Sequence, residues 1–350
     1  MKQKLDFSLL KTLTQLPGVS GREQAVRTYL QHHLAVNADE VKIDALGNLI
    51  VTRKGTSKRA ILLCAHMDEV GLMVNHIDER GFLRFITVGG IDPRTLLAQR
   101  VRVQTKTGEL PGIIGTKPAH ITTEADRAKA IPVKELFIDL GLPVEQVRSQ
   151  VSVGDVAVLD RPYLEFGNGL VSAKSLDNRV GVFILAELLR TLKKPKHTIY
   201  AVFSTQEEVG LRGATTAAYG LNADVCLTLD TTGAADIPGV LPQDYIVQLG
   251  HGVGVTALDA RTITPTPLLE HLISCCKSHH IPFQIRVAPR GGTDAGAVHL
   301  SKTGIPSCSL SIPTRNIHSN VEVLSKDDVC AMFDLVHNFV NESLPGEEKI

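Results

Sequence analysis

Apolar residues recur at helical spacing from Phe7 to Leu16 and stop at Pro17-Gly18, a pair that breaks helices. Ser20 with Glu23 three residues on has the form of a capping box, and it predicts a second helix running to His33. Strands are then expected at Glu40–Asp44, Asn48–Thr52 and Ala60–Ala65, with Leu46-Gly47-Asn48 as the turn between the first two. From about Val70 to Leu164 the texture changes. Short strand-like segments (Gly71–His76, Phe82–Val88, Arg100–Gln104, Pro111–Thr116, Asp155–Leu159) are cut by Gly, Pro and charged turns, with one helix expected at Pro132–Leu140. This pattern predicts a small β-rich, barrel-like domain at 70–164, inserted into a larger domain made of 1–69 and 165–350.

Beyond Glu165 helices and apolar strands alternate. Helices are expected at Asp177–Leu192, Leu211–Tyr219, Pro267–His279, Asp294–Leu300 and Ser325–Asn341. Between them the pattern places strands at His197–Ser204, Ala223–Leu229, Phe283–Val287 and Ser307–Ile312. The fold class is therefore α/β, a mainly parallel sheet sandwiched by helices.

Composition narrows the function classes. With 350 residues and 43% hydrophobic content the chain has ample material for a large core and a second module. Lys plus Arg equals Asp plus Glu at 37 each, so no net field draws it to nucleic acid or anionic lipid. No stretch approaches the roughly 18 apolar residues of a membrane span. Met1–Asp6 enter an amphipathic helix pattern without the apolar region of a signal peptide. The six cysteines fall in scattered apolar contexts, neither zinc ribbon nor disulfide ladder. A cytoplasmic protein with reduced thiols is expected.

The chemistry lies where apolar strands end. Ile61–Ala65 runs into His66-Met67-Asp68, Thr198–Ser204 into Gln206-Glu207-Glu208, and Val225–Leu229 into Asp230. Ser307–Ile312 is followed after a short loop by His318, and Asp177 opens a helix apolar nearly all round. Ligands of open α/β sheets bind beyond the carboxyl ends of the strands, so parallel neighbours would bring these residues together. Each alone has a plainer reading: loop histidines, an N-cap at Asp177, a solvated Glu pair, a turn at Asp230. Together they match the need of a metal pair. Two cations sharing one bridging carboxylate take five protein ligands, which His66, Asp177, Glu208, Asp230 and His318 would fill, leaving Glu207 over. Because successive strand side chains alternate, one of Glu207 and Glu208 can ligate while the other faces substrate as a general base.

At these residues the chain resembles the tetrahedral (TET-type) aminopeptidases, the glutamyl and deblocking aminopeptidase group with a co-catalytic metal pair. The likeness runs through Ala65–Gly71, Gly115–Pro118, Phe137–Gly141, Leu176–Arg179, Thr205–Ala214, Gly291–Ala295 and Ile317–Ser319. It implies the zinc-dependent exopeptidase type of sheet and two divalent ions per subunit, Zn2+ or Co2+ with Mn2+ also accommodated. By resemblance Asp177 bridges, His66 and Asp230 complete one site, Glu208 and His318 the other, and Glu207 is the catalytic base. Asp68 would orient His66, and Gly292, Thr293 and Asp294 would line the substrate cleft. A turn capping a helix through Asp294 is the structural alternative. The resemblance further implies peptide substrates with a free N-terminus, and an inserted domain that pairs subunits into dimers, six of which close a tetrahedral dodecamer. His120 is a candidate for reaching across such an interface. Thr231–Asp236 and Gly250-His251-Gly252 depart from the family's usual forms.

Rival readings are a carboxypeptidase or N-acyl deacylase on the same scaffold, in which Arg212, Arg290 or Arg315 would hold a substrate carboxylate, and a non-catalytic assembly protein retaining the fold. A glycosidase would need two carboxylates free of metal.

Overall fold

The computed structural model describes residues 5–34, 38–124 and 129–345; Met1–Lys4, the start of the expected amphipathic pattern, lie outside the described residues. Three strands open the main sheet: β1 (Glu40–Ile43), β2 (Leu49–Arg53) and β3 (Ala60–His66). Six more follow before the chain returns to it: β4 (Gly71–Ile77), β5 (Leu83–Val88), β6 (Arg100–Thr105), β7 (Gly108–Gly115), β8 (Phe137–Asp139) and β9 (Val156–Leu159). They close a barrel in the order β4-β5-β8-β7-β6-β9, filled by Leu72, Phe85, Val103, Ile114 and Ile138.

The short strands β10 (Leu164–Phe166) and β11 (Leu170–Ala173) lead into β12 (Thr198–Ser204), β13 (Val225–Gly233), β14 (Val253–Leu258), β15 (Phe283–Val287), β16 (Ser307–Thr314) and β17 (Glu322–Ser325). Eight strands form the main sheet in the order β1-β2-β12-β3-β13-β16-β14-β15, while β10, β11 and β17 make a small sheet beside it. β12, β3, β13 and β16 are parallel neighbours. The flanking β1-β2, β2-β12 and β14-β16 pairings are antiparallel. The α/β reading with a mainly parallel sheet holds.

The helices are α1 (Ser8–Gln15), α2 (Gln24–Leu34), α3 (Val144–Gln150), α4 (Leu176–Thr191), α5 (Arg212–Gly220), α6 (Thr266–Ser278), α7 (Ala295–Val298) and α8 (Lys326–Phe339). Every residue of α4 from Leu176 to Leu189 is buried. A helix apolar on all sides must be enclosed, and α4 packs between the sheet at β3 and β13 and the helices α1, α2 and α8. Small residues let it come close. A Cβ on Gly181 would stand 2.5 Å from the Leu229 carbonyl oxygen of β13 and 2.4 Å from Asn178 Oδ1. On the other face Ala214, Ala217, Ala218 and Val298 of α5 and α7 pack over Leu62, Cys64, Val202 and Cys226.

Three local expectations are corrected. Pro132–Leu140 is not a helix: a 3-10 turn at Val133–Glu135 leads into β8, whose Ile138 sits between Leu83 of β5 and Ile114 of β7. The helix follows Pro143 instead, at α3. Ser20 and Glu23 do not form a capping box. The Ser20 hydroxyl donates to Asp68 Oδ2 at 2.6 Å, and Glu23 accepts from the backbone N–H groups of Gly21 and Gln206. Strands β10, β11, β14 and β17 were not expected; they are short or interrupted by glycine, and pairing rather than pattern makes them strands. Among the described residues no helix is long and apolar enough to cross a membrane.

Candidate active site

The parallel register decides which residues meet. Ser204 of β12 pairs with His66 at the end of β3, and Thr228 of β13 pairs with Cys64, so Asp230 emerges level with His66. Just past β12 the backbone turns through a left-handed Gln206 (φ 56°) and presents Glu207 and Glu208 from a turn. Strand alternation therefore does not divide this pair, contrary to the expectation. The two backbone N–H groups are held instead by one carboxylate, Asp68, whose Oδ1 accepts from Glu207 at 3.0 Å and Oδ2 from Glu208 at 3.2 Å.

Asp177 lies in the irregular first turn of α4, where its backbone departs from helical angles and the Asp177–Asn178 peptide is cis. Its N–H donates to Glu322 Oε2 at 2.9 Å. Asn178 ties the same turn to β13 through the Leu229 carbonyl, one residue before Asp230. His318 arrives on the loop after β16. Its N–H donates to Glu322 Oε1 at 2.8 Å, and its Nδ1 donates to the carbonyl of Gly90 at 2.8 Å, just beyond the barrel strand β5.

The structure brings together all five expected ligands and Glu207. Asp177 presents one oxygen to each histidine: Oδ1 is 3.2 Å from His66 Nε2, and Oδ2 is 3.4 Å from His318 Nε2. Asp230 Oδ1 lies 3.6 Å from His66 Nε2, and Glu208 Oε1 lies 3.3 Å from His318 Nε2. Ligand atoms of His66, Asp177 and Glu208 fall within 4.8 Å of one another, as do those of His66, Glu207 and Asp230. These separations exceed those of a charge-assisted hydrogen bond, about 2.7–2.9 Å. They match the spacing of about 3.3 Å between donors that share a tetrahedral cation at about 2.0–2.1 Å. Glu208 Oε1 is buried with no hydrogen bond, as a ligand atom would be.

Charge points the same way. Four carboxylates (Asp177, Glu207, Glu208, Asp230) crowd two imidazoles, an excess that is costly in a buried site unless cations offset it. Burial, with the neighbouring carboxylates Asp230, Asp294 and Glu208, pushes Glu207 well up despite His66. Burial also raises Glu208 and Asp230. Burial works against Asp177 too, but His318 and His66 hold it well below the usual range. For His66, burial is outweighed by Asp177, Asp230 and Asp68, which push it well above an ordinary imidazole; His318 is pushed up to about 12, where Asp177 and Glu208 overcome its burial. Donor set, spacing and charge all fit divalent cations.

The Gly291–Ala295 loop divides. Thr293 and Asp294 are buried, and Gly292 is half-buried. Asp294 makes no helix-capping hydrogen bond; Ser204 donates to its Oδ2 at 2.5 Å, and the Cys64 thiol lies at 3.3 Å. Asp294 thus sits beneath His66, under the sheet edge. Among the arginines considered for a substrate carboxylate, Arg315 is engaged bidentately by Asp236 at 2.7 and 2.9 Å. Arg212 reaches Gln206 Oε1 at 3.3 Å, and Arg290 is exposed. His120 is exposed on the 3-10 turn Ala119–Ile121.

Several supporting residues had no readable signal. Glu322 holds two ligand-bearing backbones at once. Arg179 donates to the carbonyls of Met67, Leu13 and Leu16, and with Lys174 it surrounds the buried Glu69. The only sequence hint for Arg179 was its place next to Asp177-Asn178.

The model of the M42 glutamyl aminopeptidase family matches residues 47–335. The lysyl aminopeptidase of Pyrococcus furiosus is 33% identical over 349 residues, covering 97% of this chain and 98% of its own. The aminopeptidase APDkam598 of Desulfurococcus kamchatkensis superposes with a TM-score of 0.93 at 39% identity, covering 97% and 95% of the two chains. The TET1 peptidase of Pyrococcus horikoshii, which can assemble into a tetrahedron or a large octahedral shell, has a TM-score of 0.88 at 35% identity over 96% and 99%.

Proposed function

The chain belongs to the M42 glutamyl aminopeptidase family and is a metallo-aminopeptidase, and from that premise we propose a two-cation hydrolysis of the first peptide bond of peptides with a free N-terminus. Asp177 would be shared by the cations, with His66 and Asp230 as further ligands of one and Glu208 and His318 as further ligands of the other. The observation that carries this reading is Asp177, whose two oxygens address different histidines. Two divalent cations, when bound, supply the Lewis acidity that makes water nucleophilic near neutral pH and polarises the scissile carbonyl. The mixed nitrogen and oxygen donors suit zinc, cobalt or manganese.

Glu207 is not needed as a ligand. It takes the proton of the attacking water and returns it to the leaving amine. The Asp68 carboxylate fixes the Glu207 backbone, and the Asp68 carbonyl oxygen accepts from His66 Nδ1 at 3.2 Å with the carboxylate at 3.4 Å, orienting that ring. The Gly291–Ala295 loop meets substrate through Gly292, with Thr293 and Asp294 supporting it from below. The Glu207→Gln variant should retain both cations of this centre and lose about three or more orders of magnitude in kcat. Wild-type turnover, or loss of a cation, removes Glu207 from the role of base. The same assay on free and N-acetylated peptides separates an aminopeptidase from a deacylase or carboxypeptidase. The engagement of Arg315 by Asp236 weighs against those alternatives.

Residues 70–164 are proposed as the subunit-pairing module, with dimers closing to a dodecamer as the TET1 relative's tetrahedron suggests. Ile86 and Ile113 on the barrel and Ile121 beside it are 49%, 58% and 67% exposed, which supports a covered face there. All six cysteines are free thiols, five of them buried, which supports a cytoplasmic setting.

A further inference from the structure

His271, Cys275 and His279 recur every fourth residue along α6 and its cap, so their side chains share one stripe of the helix. Glu342, three residues beyond α8, lies against that stripe. Its Oε1 is 2.9 Å from His279 Nε2, and its Oε2 is 3.4 Å from His271 Nε2. The Cys275 sulfur, a His279 ring nitrogen and a Glu342 oxygen all fall within 4.8 Å of one another. We propose that Cys275, His279 and Glu342 bind one zinc-class divalent cation, with His271 steadying the other carboxylate oxygen, in a site separate from the hydrolytic centre.

The surroundings fix these groups in place. The Glu342 carbonyl oxygen accepts from His197 Nε2 at 2.9 Å, and the Glu342 N–H donates to Phe339. The Phe339 ring packs edge-on against His271 at 5.5 Å. Cys275 is buried, while the His279 side chain is 41% exposed, so the site opens to solvent on one side. Three protein donors with an open fourth position is a familiar zinc arrangement. A sulfur, nitrogen and oxygen set selects zinc, cobalt and their neighbours over magnesium or calcium.

The plainer alternative is a His279–Glu342 ion pair lying over a buried thiol. There the Cys275 thiol donates to Glu342, while His271 Nε2 is buried with no hydrogen bond of its own. Burial and the adjacent Glu342 push the Cys275 thiol up, so a cation must displace its proton, and binding releases it to solvent.

His197 immediately precedes β12, whose far end Ser204 lies beside His66. Seven strand residues at about 3.3 Å each put the new site on the opposite edge of the sheet, about 20 Å from the hydrolytic centre. It would staple α6 to the segment after α8 and take no part in hydrolysis.

Sulfur distinguishes the two sites spectroscopically. Stepwise Co2+ loading of metal-stripped wild-type protein should produce a thiolate-to-cobalt charge-transfer band in the near ultraviolet, whose full intensity corresponds to one cobalt per chain and which saturates by three equivalents. The Asp, Glu and His donors proposed for the hydrolytic centre cannot give this band, and Glu207→Gln should keep it. Cys275→Ser should abolish it. The exposed His279→Ala, which should keep aminopeptidase activity and hence its fold, should weaken Co2+ affinity at the band at least tenfold. Absence of the band in wild type, or full affinity in His279→Ala, overturns the proposal and leaves the hydrolytic reading untouched.

Discussion

Glu322 accepts from the backbone N–H groups of both Asp177 and His318. Its burial and the nearby Asp177 carboxylate push its own pKa well up, a cost borne to hold two ligands from distant parts of the chain in one geometry. Groups that orient metal ligands are worth about 10–100-fold in affinity. Glu322→Gln keeps the shape but turns one acceptor into a donor facing an N–H. Its affinity for both cations should fall by that factor in a chelator-competition titration, and an unchanged affinity would make Glu322 merely structural. Neither this role nor that of Gly90, whose carbonyl orients His318, could be read from the chain. Each depends on a pairing across 145 or more residues. The ligands themselves were readable because His66 ends an apolar strand, Glu208 and His318 follow one, Asp177 heads an apolar helix and Asp230 follows the apolar run of β13.

At the level of elements, α4 works by proximity. Gly181 lets it approach β13 so closely that Asp177 and Asp230 converge on His66. In an ordinary helix Gly→Ala stabilises by about 0.5–1 kcal/mol. Here Gly181→Ala should destabilise by about 1–3 kcal/mol through overpacking, and should weaken cation binding as well. Urea denaturation and metal content measure the two effects, and a stabilised variant would show that α4 is free to move. The helix α8 is anchored differently: Asp328 Oδ2 and Oδ1 accept from the N–H groups of Gly250 and Gly252 at 2.7 Å each, despite full burial. Burial raises this carboxyl to about 6, against the two hydrogen bonds. The folded pKa is above the unfolded one, so the folded state holds the proton more tightly. The stability that Asp328 contributes is complete below about pH 4 and is lost as pH rises through about 6. The Tm of Asp328→Asn relative to wild type should therefore climb by a few degrees between pH 4.5 and 7.5, and a constant gap would refute this. The turn Gly250-His251-Gly252, which stood out in the sequence as a departure from its family, is thus the anchor point of α8. The misread helix at Pro132–Leu140 teaches the complementary lesson. Ile138 is buried between two barrel strands, and partners on both sides override whatever a nine-residue stretch prefers alone.

For the whole molecule, the barrel and the main sheet meet at the active site through the contact between His318 and the carbonyl after β5. Pairing of subunits through the barrel would therefore bear on an element that touches a proposed cation ligand. A closed barrel has no free strand edge to add to, so a pairing face must be built from side chains such as Ile86 and Ile113. On the proposed assembly, Ile113→Glu should lower the mass found by light scattering from that of a dodecamer toward smaller species, with the monomer fold retained by circular dichroism. A mass already monomeric in the wild type would exclude barrel-mediated assembly.

Hydrophobic periodicity by itself determined that this chain builds a helix-covered, mainly parallel sheet with a β-rich insert, because burial of apolar side chains at period 2 or 3.6 is a local record of which face turns inward. It also placed His66, Asp177, Glu207, Glu208, Asp230 and His318 at or just beyond the ends of the expected elements, where ligands of such sheets gather. Only the tertiary structure decided that Asp177 divides its oxygens between two histidines, that Asp68 rather than strand alternation sets the Glu207-Glu208 turn, and that Glu322 and Gly181 hold the assembly to ångström spacing. Those facts reside in the register of strands and the approach of backbones far apart in the chain, and no local pattern encodes a distance between residues that only folding brings together.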